Sequence, residues 1–405
     1  MKIFVITPIF ATTTTKEGIT PVVHYITKEW VKLGHEVTIF HLPAKYPRFY
    51  YWISLPFQNK LTSSFGFSIP VSYPKEGKEF IDGETIIHYP LKKYKPHTSV
   101  SSHQQEKAIN IIIQFCKQNG NPDIIIGHWD NPILDILPKL KILLNAPIGI
   151  VFHSNFFNLE KRYSKDVKKM MSSFDIIGFR SPTGKINFEN KYGKIKNSMI
   201  VPSGVSNEFI ANGSSVVRNF DKITNFTYVG SLIHRKHPLE ILKAIFAIYG
   251  QTFFRMTYIG DGDEREKIQS FAKSKGIEKN VVFTGRIKRE QIIEHLKDTD
   301  VFVMISGGEI FGLVYLEAMA LGCLTVGSIG EGIDGIIKHG ENGFLCCPGD
   351  KDNLTQIIDS IRKFSQEELI RISNNAKMTA KDYSDNCVAR NYINDIRRIL
   401  CVKHE

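Results

Sequence analysis

The sequence predicts an α/β protein of two domains, each built on a doubly wound parallel sheet. Short apolar runs alternate with helical patterns from the start, where KIFVITPIF, VVHYITKEWVKLG and HEVTIFHL give the order strand, helix, strand. The alternation resumes in the second half at NFTYVGS, RMTYIGDG, NVVFTGR and DVFVMIS. Because 405 residues exceed the size at which one hydrophobic core usually stops growing, two domains are expected.

The domain boundary is predicted near residue 201. Residues 1–200 would form the first domain, with further strands at 123–129, 146–154 and 174–181. Residues 201–384 would form the second. Residues 43–105 are rich in proline, aromatic and basic residues, and they indicate an insertion near the cleft between the domains. That cleft is the expected functional site.

Composition and charge narrow the class of protein. The net charge is +11, and residues 1–200 carry 26 Lys and Arg against 15 Asp and Glu, so the first half holds the whole excess. An anionic membrane surface or a phosphorylated acceptor would explain it, and so would solubility alone. Six scattered cysteines suggest neither a disulfide framework nor a zinc site, and we expect a cytoplasmic protein without a signal peptide.

Two glutamates eight positions apart, Glu309 and Glu317, stand in MISGGEIFGLVYLEAMALGCLTVGSIGEGIDGIIKHGENGFLCCPGD at 304–350. Gly312 permits close backbone approach, and the helix that follows presents unpaired N–H groups suited to a diphosphate. This segment resembles the retaining nucleotide-sugar glycosyltransferases of family 4, the glycosyl transferases group 1. The resemblance implies a GT-B fold, in which two Rossmann-like domains face a cleft.

The resemblance also implies roles for these residues. Glu309 would contact hydroxyls of the transferred sugar. Glu317 would accept hydrogen bonds from the ribose hydroxyls. The backbone amides that would bind the donor belong to Phe311, Gly312 and Leu313.

A second match is YVGSLIHRKHP at 228–238, where a strand ends in Gly230 and Ser231 before a basic pair, Arg235 and Lys236. Family members hold the nucleotide diphosphate with basic residues of this loop, and fixed cations stabilise the negative charge that develops on the leaving group. The commonest family form has Arg where Ser231 stands, and Arg235 is the candidate for that role. The alternative is a basic surface loop that caps a helix.

The stretch 258–306 contains TGRI at the place where such enzymes hold the nucleotide base, so Gly285, Arg286 and Ile287 are donor-binding candidates. Two D-x-D triplets, 261–263 and 298–300, resemble metal motifs of the other major glycosyltransferase fold. Both have simpler explanations in strand and helix ends, and the basic pair makes a metal redundant. No metal or cofactor is expected.

The first domain matches less well. Gly18 occupies the glycine loop beneath the reacting sugar, and His153 follows a strand where the family commonly has a histidine that bonds the transferred sugar. At another strand end, the sequence HWDNP offers acceptor-side candidates: His128, Trp129 and Asp130. In family members the final helix crosses back onto the first domain, and residues 385–405 are expected to do so.

The aromatic and basic run KYPRFYYWISLPF at 45–57 suits a membrane interface, although it could equally pack inside. Together with the basic first half, it favours a lipid-linked acceptor and peripheral contact with the anionic inner face of the cell membrane.

The combined prediction is a metal-independent hexosyltransferase that moves a sugar from a UDP- or GDP-sugar to a glycan or lipid-linked acceptor with retention of configuration. Capsule, O-antigen or exopolysaccharide biosynthesis is the expected setting. The alternative is a GT-B-fold nucleotide-sugar epimerase or hydrolase that uses no acceptor. No nucleic-acid partner is expected. A nucleic-acid-binding protein would explain the basic charge, but it would not explain the acids at 309 and 317.

Overall fold

The structure is a computed structural model that describes residues 1–11, 21–52, 73–95, 98–153, 159 and 167–401. The chain divides into two compact units. The first comprises Met1–Arg180, Gly184–Gly204 and Asp385–Glu405, and the second comprises Ser181–Thr183 and Val205–Ser384.

Within its described residues, the first unit contains ten strands: β1 Lys2–Thr7, β2 Glu36–His41, β3 Ala44–Lys45, β4 Gly77–Ile81, β5 Glu84–His88, β6 Leu91–Lys92, β7 Ile124–His128, β8 Ile148–Phe152, β9 Ile176–Phe179 and β10 Ser198–Ile200. Eight of them form one sheet in the order β10-β9-β8-β7-β1-β2-β5-β4, and β3 and β6 pair separately. All neighbours in the large sheet are parallel except β4 and β5. The chain therefore winds in both directions from β1, which leaves a crevice between β1 and β7 at the carboxyl edge.

Among the described residues, the helices of the first unit include α1 Val22–Lys32, α2 Ser102–Asn119, α3 Ile133–Leu144, α4 Val167–Ser172, α5 Pro182–Tyr192, whose first residues belong to the second unit, and α13 Asp385–Cys401. The last helix packs on the first. Trp30 donates its indole N–H to the carbonyl of Ala389 at 3.0 Å, and its ring meets Tyr392 edge-on. This contact joins the last helix to the first.

The central strands of the first unit are buried along nearly their whole length because helices cover both faces of the sheet. In β1 every residue from Ile3 to Thr7 is buried, and β7 and β8 are buried throughout. Gly127 lets α3 approach β7 closely, since a Cβ there would lie 2.1 Å from a methyl carbon of Ile133. The packing thus fixes where the carboxyl ends of β7 and β8 emerge.

The second unit is a fully parallel six-stranded sheet in the order β13-β12-β11-β14-β15-β16. Its strands are β11 Asn225–Val229, β12 Arg255–Ile259, β13 Val281–Gly285, β14 Val301–Val303, β15 Leu324–Ser328 and β16 Phe344–Cys346. Its helices are α6 Asn207–Ser215, α7 Pro238–Tyr249, α8 Arg265–Lys275, α9 Arg289–Lys297, α10 Leu313–Ala320, α11 Lys351–Ile361 and α12 Gln366–Asp382. Short 3₁₀ turns at His234–Lys236 and Glu278–Asn280 complete it.

Local signals set several helix ends in the second unit. Pro238 stands at the first turn of α7, where its missing N–H costs nothing. Asp350 caps α11 by accepting from two backbone amides, and Ser365 and Glu368 form a capping box at α12.

The segment 43–105, predicted as an insertion that breaks the strand–helix alternation, contains regular strands. Within it, β5 pairs in parallel with β2, and β4 pairs antiparallel with β5 to form the sheet edge. The sequence hides these strands because each has only five residues and β4 is almost entirely exposed, which removes the apolar signal.

Candidate active site

The candidate site lies at the carboxyl edge of the second sheet. Strands β11 and β14 are neighbours there, while the chain continues from β11 toward β13 on one side and from β14 toward β16 on the other. Ligands bind at this kind of switch point in open α/β sheets. The loops after the two strands are joined, because the amide of Gly307 donates to the carbonyl of Arg235 at 2.8 Å.

An ion pair crosses between the two loops. The ammonium Nζ of Lys236 lies 3.2 Å from Oε2 of Glu309, and the two side chains are 15% and 17% exposed. Arg235 is half-exposed, with its guanidinium 4.0 Å from the same oxygen and donating to the carbonyl of Gly307 at 3.1 Å. The structure therefore brings together three of the predicted residues, with Lys236 more enclosed than Arg235.

Two buried tyrosines hold the loops of this site through hydrogen bonds to backbone carbonyls. Tyr228 donates its hydroxyl to the carbonyl of Ser231 at 2.8 Å, and Tyr315 donates to the carbonyl of Met304 at 2.6 Å. Burial, and then the negative charge of Glu309, raise the pKa of both phenols. Both tyrosines stay neutral donors and hold the starts of the two loops.

Glycines allow the loop after β12 to approach the loop after β11. A Cβ on Gly260 would lie 1.9 Å from the carbonyl oxygen of Gly230, and one on Gly262 would lie 2.3 Å from that of Leu232. No larger residue fits either place. The predicted residues Gly230 and Ser231 thus occupy a turn supported from both sides.

One acid of each D-x-D triplet has structural partners. Asp261 accepts from the amide of Gly262 at 3.0 Å and lies 3.6 Å from the guanidinium of Arg265. Asp300 accepts from the two amides that precede and begin β11, at 2.9 and 2.8 Å. Burial raises the pKa of Asp300. The absence of a metal stays a prediction.

Helix α10 begins beside Glu309. Gly312 has φ +74°, in the left-handed region, and a Cβ there would lie 2.4 Å from the ring of Tyr315 and 3.3 Å from Cγ of Glu309. No acidic side chain stands in the first turn, which begins at Leu313, and the side chain of Phe311 is buried. The start of the helix therefore adds partial positive charge next to the ion pair.

Glu317 lies on α10, where it is buried and paired with Arg289, a residue that the sequence analysis missed. Nε of Arg289 donates to Oε1 of Glu317 at 2.6 Å, and Nη2 contacts the same oxygen. Arg289 begins α9, two residues after Ile287, so the pair ties the predicted ribose contact to the predicted base loop. In that loop Gly285 has φ +70° and Arg286 is exposed.

Glu331 is a second residue that the sequence analysis missed. It follows β15, and its carboxylate accepts from the amides of Gly308 at 2.9 Å and Glu309 at 2.6 Å. The amide of Gly332 returns a bond to the carbonyl of Glu309 at 2.9 Å.

In the first unit, the structure places two predicted histidines together at the carboxyl edge of the sheet. Nδ1 of His128, after β7, lies 2.8 Å from Nε2 of His153, after β8. The ring of Trp129 stacks on His153 with centroids 4.0 Å apart, and Trp129 has φ +66°. Asp130 follows, with its carbonyl accepting from the amide of Leu134. A stacked, hydrogen-bonded imidazole pair results.

Burial and the nearby guanidinium of Arg180 keep this pair neutral. They lower the pKa of His128 to about 3 and hold the pKa of His153 well below its usual value. Arg180 is itself buried, donating to the carbonyl of Val201 at 2.7 Å and contacting the hydroxyl of Ser203. A neutral imidazole can donate and accept at once.

Two predictions fall wholly or partly outside the described residues. Gly18 lies outside them, and so does the part of the 45–57 run beyond residue 52. No helix in the described ranges combines the length and apolarity needed to cross a membrane.

The family model of the Glycosyl transferases group 1 matches residues 216–379, which include all the site residues of the second unit described above. Residues 216–379 form a glycosyl transferases group 1 domain. The chain is also similar to N-acetyl-alpha-D-glucosaminyl L-malate synthase of Bacillus anthracis, with 34% identity over 149 residues, 37% of this chain. It is 25% identical over 272 residues to the GalNAc-alpha-(1->4)-GalNAc-alpha-(1->3)-diNAcBac-PP-undecaprenol alpha-1,4-N-acetyl-D-galactosaminyltransferase of Campylobacter jejuni, covering 66% of this chain and 72% of that protein.

The match to the Bacillus anthracis relative spans only 36% of that protein, and the matches to two further curated relatives span 43% and 26% of theirs. Solved structures cover more. Sucrose-phosphate synthase from Thermosynechococcus elongatus has a TM-score of 0.70 at 16% identity, over 99% of this chain and 100% of that one. Anabaena HepE in complex with UDP has a TM-score of 0.67 at 15% identity, over 98% and 100%. The predicted fold class, two Rossmann-like domains of the GT-B type, is confirmed, with the group 1 domain as the second.

Proposed function

We propose that this chain is a metal-independent glycosyltransferase that moves a sugar from a nucleotide diphosphate sugar to a glycan or lipid-linked acceptor with retention of configuration. The observation that carries the proposal is the Lys236–Glu309 ion pair beside the start of α10 in the group 1 domain. A cation, a helix start and a carboxylate are the groups needed for a diphosphate and the hydroxyls of its sugar.

Lys236 and Arg235 act on the leaving group. Breaking the bond between the anomeric carbon and the diphosphate develops negative charge on the phosphate oxygen, and fixed cations stabilise that charge. The diphosphate would also accept hydrogen bonds from the backbone amides of Phe311, Gly312 and Leu313. Without a ligand, Lys236 pairs with Glu309. When the donor binds, the ammonium of Lys236 would interact with both the diphosphate and the carboxylate of Glu309.

Glu309 accepts hydrogen bonds from hydroxyls of the sugar, and Glu317 accepts them from the ribose. The attack proceeds on the same face, and the departing phosphate oxygen takes the proton of the acceptor hydroxyl, so no protein nucleophile is needed. His153, held neutral, serves as a hydrogen-bonding partner for the transferred sugar. The base loop with Gly285, Arg286 and Ile287 binds the nucleotide base through its backbone.

The acceptor is proposed from the relatives. The name of the Campylobacter jejuni relative describes an undecaprenol diphosphate-linked saccharide. We place this chain in bacterial surface-polysaccharide or glycoconjugate biosynthesis on that basis. The alternative, an epimerase or hydrolase that needs no acceptor, predicts that the donor alone is fully converted.

Contact with an anionic membrane is proposed from an aromatic–basic patch, defined as residues 44–52 and 91–95. The pairing of β3 with β6 joins these segments, and the amide of Lys93 donates to the carbonyl of Lys45 at 2.9 Å. The patch contains five basic residues and no acidic one. Three aromatic side chains are exposed by 53%, 79% and 81%: Phe49, Trp52 and Tyr94. Exposed aromatic rings among cations suit the interface of an anionic bilayer.

The test is a thermal-shift screen without metal, using UDP, GDP, ADP and their sugars, because a ligand of the native state raises its apparent stability. One nucleotide series should raise the Tm, and its sugar should then be transferred. Glu309→Ala should keep the nucleotide shift and lose about a hundredfold in rate. Lys243→Ala, on the surface of the same unit, is the control. A chain that no nucleotide stabilises would overturn the proposal.

A further inference from the structure

The carboxylate of Glu331 accepts hydrogen bonds from two consecutive backbone amides, the second of which belongs to Glu309. Oε1 accepts from the amide of Gly308 at 2.9 Å, and Oε2 accepts from the amide of Glu309 at 2.6 Å. The amide of Gly332 donates to the carbonyl of Glu309 at 2.9 Å. Three hydrogen bonds, two of them assisted by charge, therefore fix Glu309 from a loop 22 residues away.

The loop that carries Glu309 needs such a clamp. It opens with two glycines, Gly307 and Gly308, and the second has φ +69°. Glycine loses more conformational freedom on ordering than any other residue, so this stretch is poorly fixed by its own sequence. The neighbouring strand supplies the order, because β15 runs parallel beside β14 and delivers Glu331 to the same sheet edge.

The clamp loop is itself built for close contact. A Cβ on Gly332 would lie 2.2 Å from the carbonyl oxygen of Ile310, so only glycine permits the approach. Asp334 accepts from the amide of Gly330 at 2.7 Å and donates its own amide to the carbonyl of Glu331 at 2.9 Å. The carboxylate of Glu331 is thus held before any ligand arrives.

The charge of Glu331 argues against a contact made for ligand binding. A carboxylate beside a site for a diphosphate repels that ligand and lowers affinity. The carboxylate of Glu331 has a use at this place if it improves the placement of Glu309. A displacement of about 1 Å at a reacting centre can cost about a hundredfold in rate.

We infer that Glu331 is a positioning residue for sugar transfer, acting through the backbone of Glu309. This inference rests on the proposed function. Glu331 is assigned no contact with donor or acceptor. Its role is to hold Glu309 where its carboxylate meets both Lys236 and the hydroxyls of the transferred sugar.

The test compares Glu331→Gln with Glu341→Gln. Each variant removes one negative charge from the segment between β15 and β16, but only the first loses an acceptor for the amides of Gly308 and Glu309. The side chain of Glu341 is 67% exposed. Hydrogen exchange in peptides covering 305–313 reads the loop without any ligand. Steady-state kinetics with the nucleotide sugar chosen from the UDP, GDP and ADP series read its consequence.

Glu331→Gln should speed exchange across 305–313 and lower kcat about ten- to a hundredfold, while KM for the donor changes less than about threefold. Glu341→Gln should change neither by a comparable amount. A purely structural role would lower the Tm of Glu331→Gln but leave kcat of the folded enzyme normal, and that result would overturn the inference.

A double-mutant cycle separates the inference from the proposed function. In a Glu309→Ala background, Glu331→Gln should cause little further loss, because it acts through the missing side chain. Full additivity of the two losses would overturn the role of Glu331 while leaving that of Glu309 intact. A wild-type chain with no transfer and no donor turnover would overturn the proposed function itself.

Discussion

The ammonium of Lys236 lies 3.2 Å from the carboxylate of Glu309, beside the neighbouring parallel strands β11 and β14, from which the chain continues in opposite directions through the sheet. Each side chain is less than one-fifth exposed, so the pair is shielded from most of the solvent. The pair holds both groups in place without a ligand. A diphosphate sugar would give each of them a second partner.

Arg289 and Glu317 should act together in nucleotide binding. Glu317→Ala is expected to weaken binding of the preferred nucleotide diphosphate about tenfold, and also to destabilise the unit by about 3 kcal/mol because it removes the buried carboxylate that pairs with Arg289. Arg289→Ala should act in the same direction. Calorimetric titration and urea unfolding measure the two effects. Unchanged affinity in both variants would remove Glu317 from the nucleotide site.

Stability should fall as the pH is lowered below about 6.5. The pKa values of His41 and His128 are lowered to about 3, chiefly by burial, so the unfolded chain binds protons between pH 6.5 and 3 that the folded chain does not. Each histidine should reduce the unfolding free energy by about 1.4 kcal/mol per pH unit in that range. The Tm at pH 7.5 and 5.5 measures this. His128→Asn should flatten the dependence, and an unchanged dependence would contradict the account.

Arg218 should be a main determinant of stability in the second unit. Its guanidinium donates to four backbone carbonyls at 2.7 to 2.9 Å, those of Leu296, Lys297, Thr299 and Leu321. Arg218→Ala should cost about 3 kcal/mol or more, since several charge-assisted hydrogen bonds are lost at once. Urea unfolding measures the loss, with the exposed Arg255→Ala as control. A loss below about 1 kcal/mol would show that these bonds are not retained in solution.

The aromatic–basic patch should bind anionic vesicles. Sedimentation with phosphatidylglycerol vesicles should capture the chain at low salt, less at high salt, and not with neutral phosphatidylcholine. The double variant Trp52→Ala with Tyr94→Ala should lose most of this binding. Phe80→Ala is the matched control, because Phe80 is 73% exposed in the same unit but lies outside the patch. An equal loss of vesicle binding in both variants would contradict the assignment of the patch as the contact surface.

The sequence was sufficient for the fold class because apolar strands and amphipathic helices alternate in both halves. It was also sufficient to nominate Lys236 and Glu309, since each stands in the loop after an apolar strand, in a segment that resembles the group 1 glycosyltransferases. The β4–β5 hairpin was missed because its edge strand is exposed and too short to show alternation.

Arg289 and Glu331 could not be found from the sequence for a different reason. Their partners lie 28 and 22 residues away, and the contacts exist only because sheet order brings those loops together. Arg289 appears locally as an ordinary cation at a helix start, and Glu331 as one acid in a glycine-rich turn. Only the parallel pairing of β14 with β15 shows what Glu331 reaches.

The most direct test of the central claim is the preference for a nucleoside diphosphate over the monophosphate, measured by calorimetry for the wild type and for Lys236→Ala. If Lys236 binds the diphosphate, the wild type should prefer UDP over UMP, or GDP over GMP, by at least about tenfold, and the variant should lose most of that preference. A variant that keeps the full preference would contradict the assignment of this site to a nucleotide diphosphate sugar.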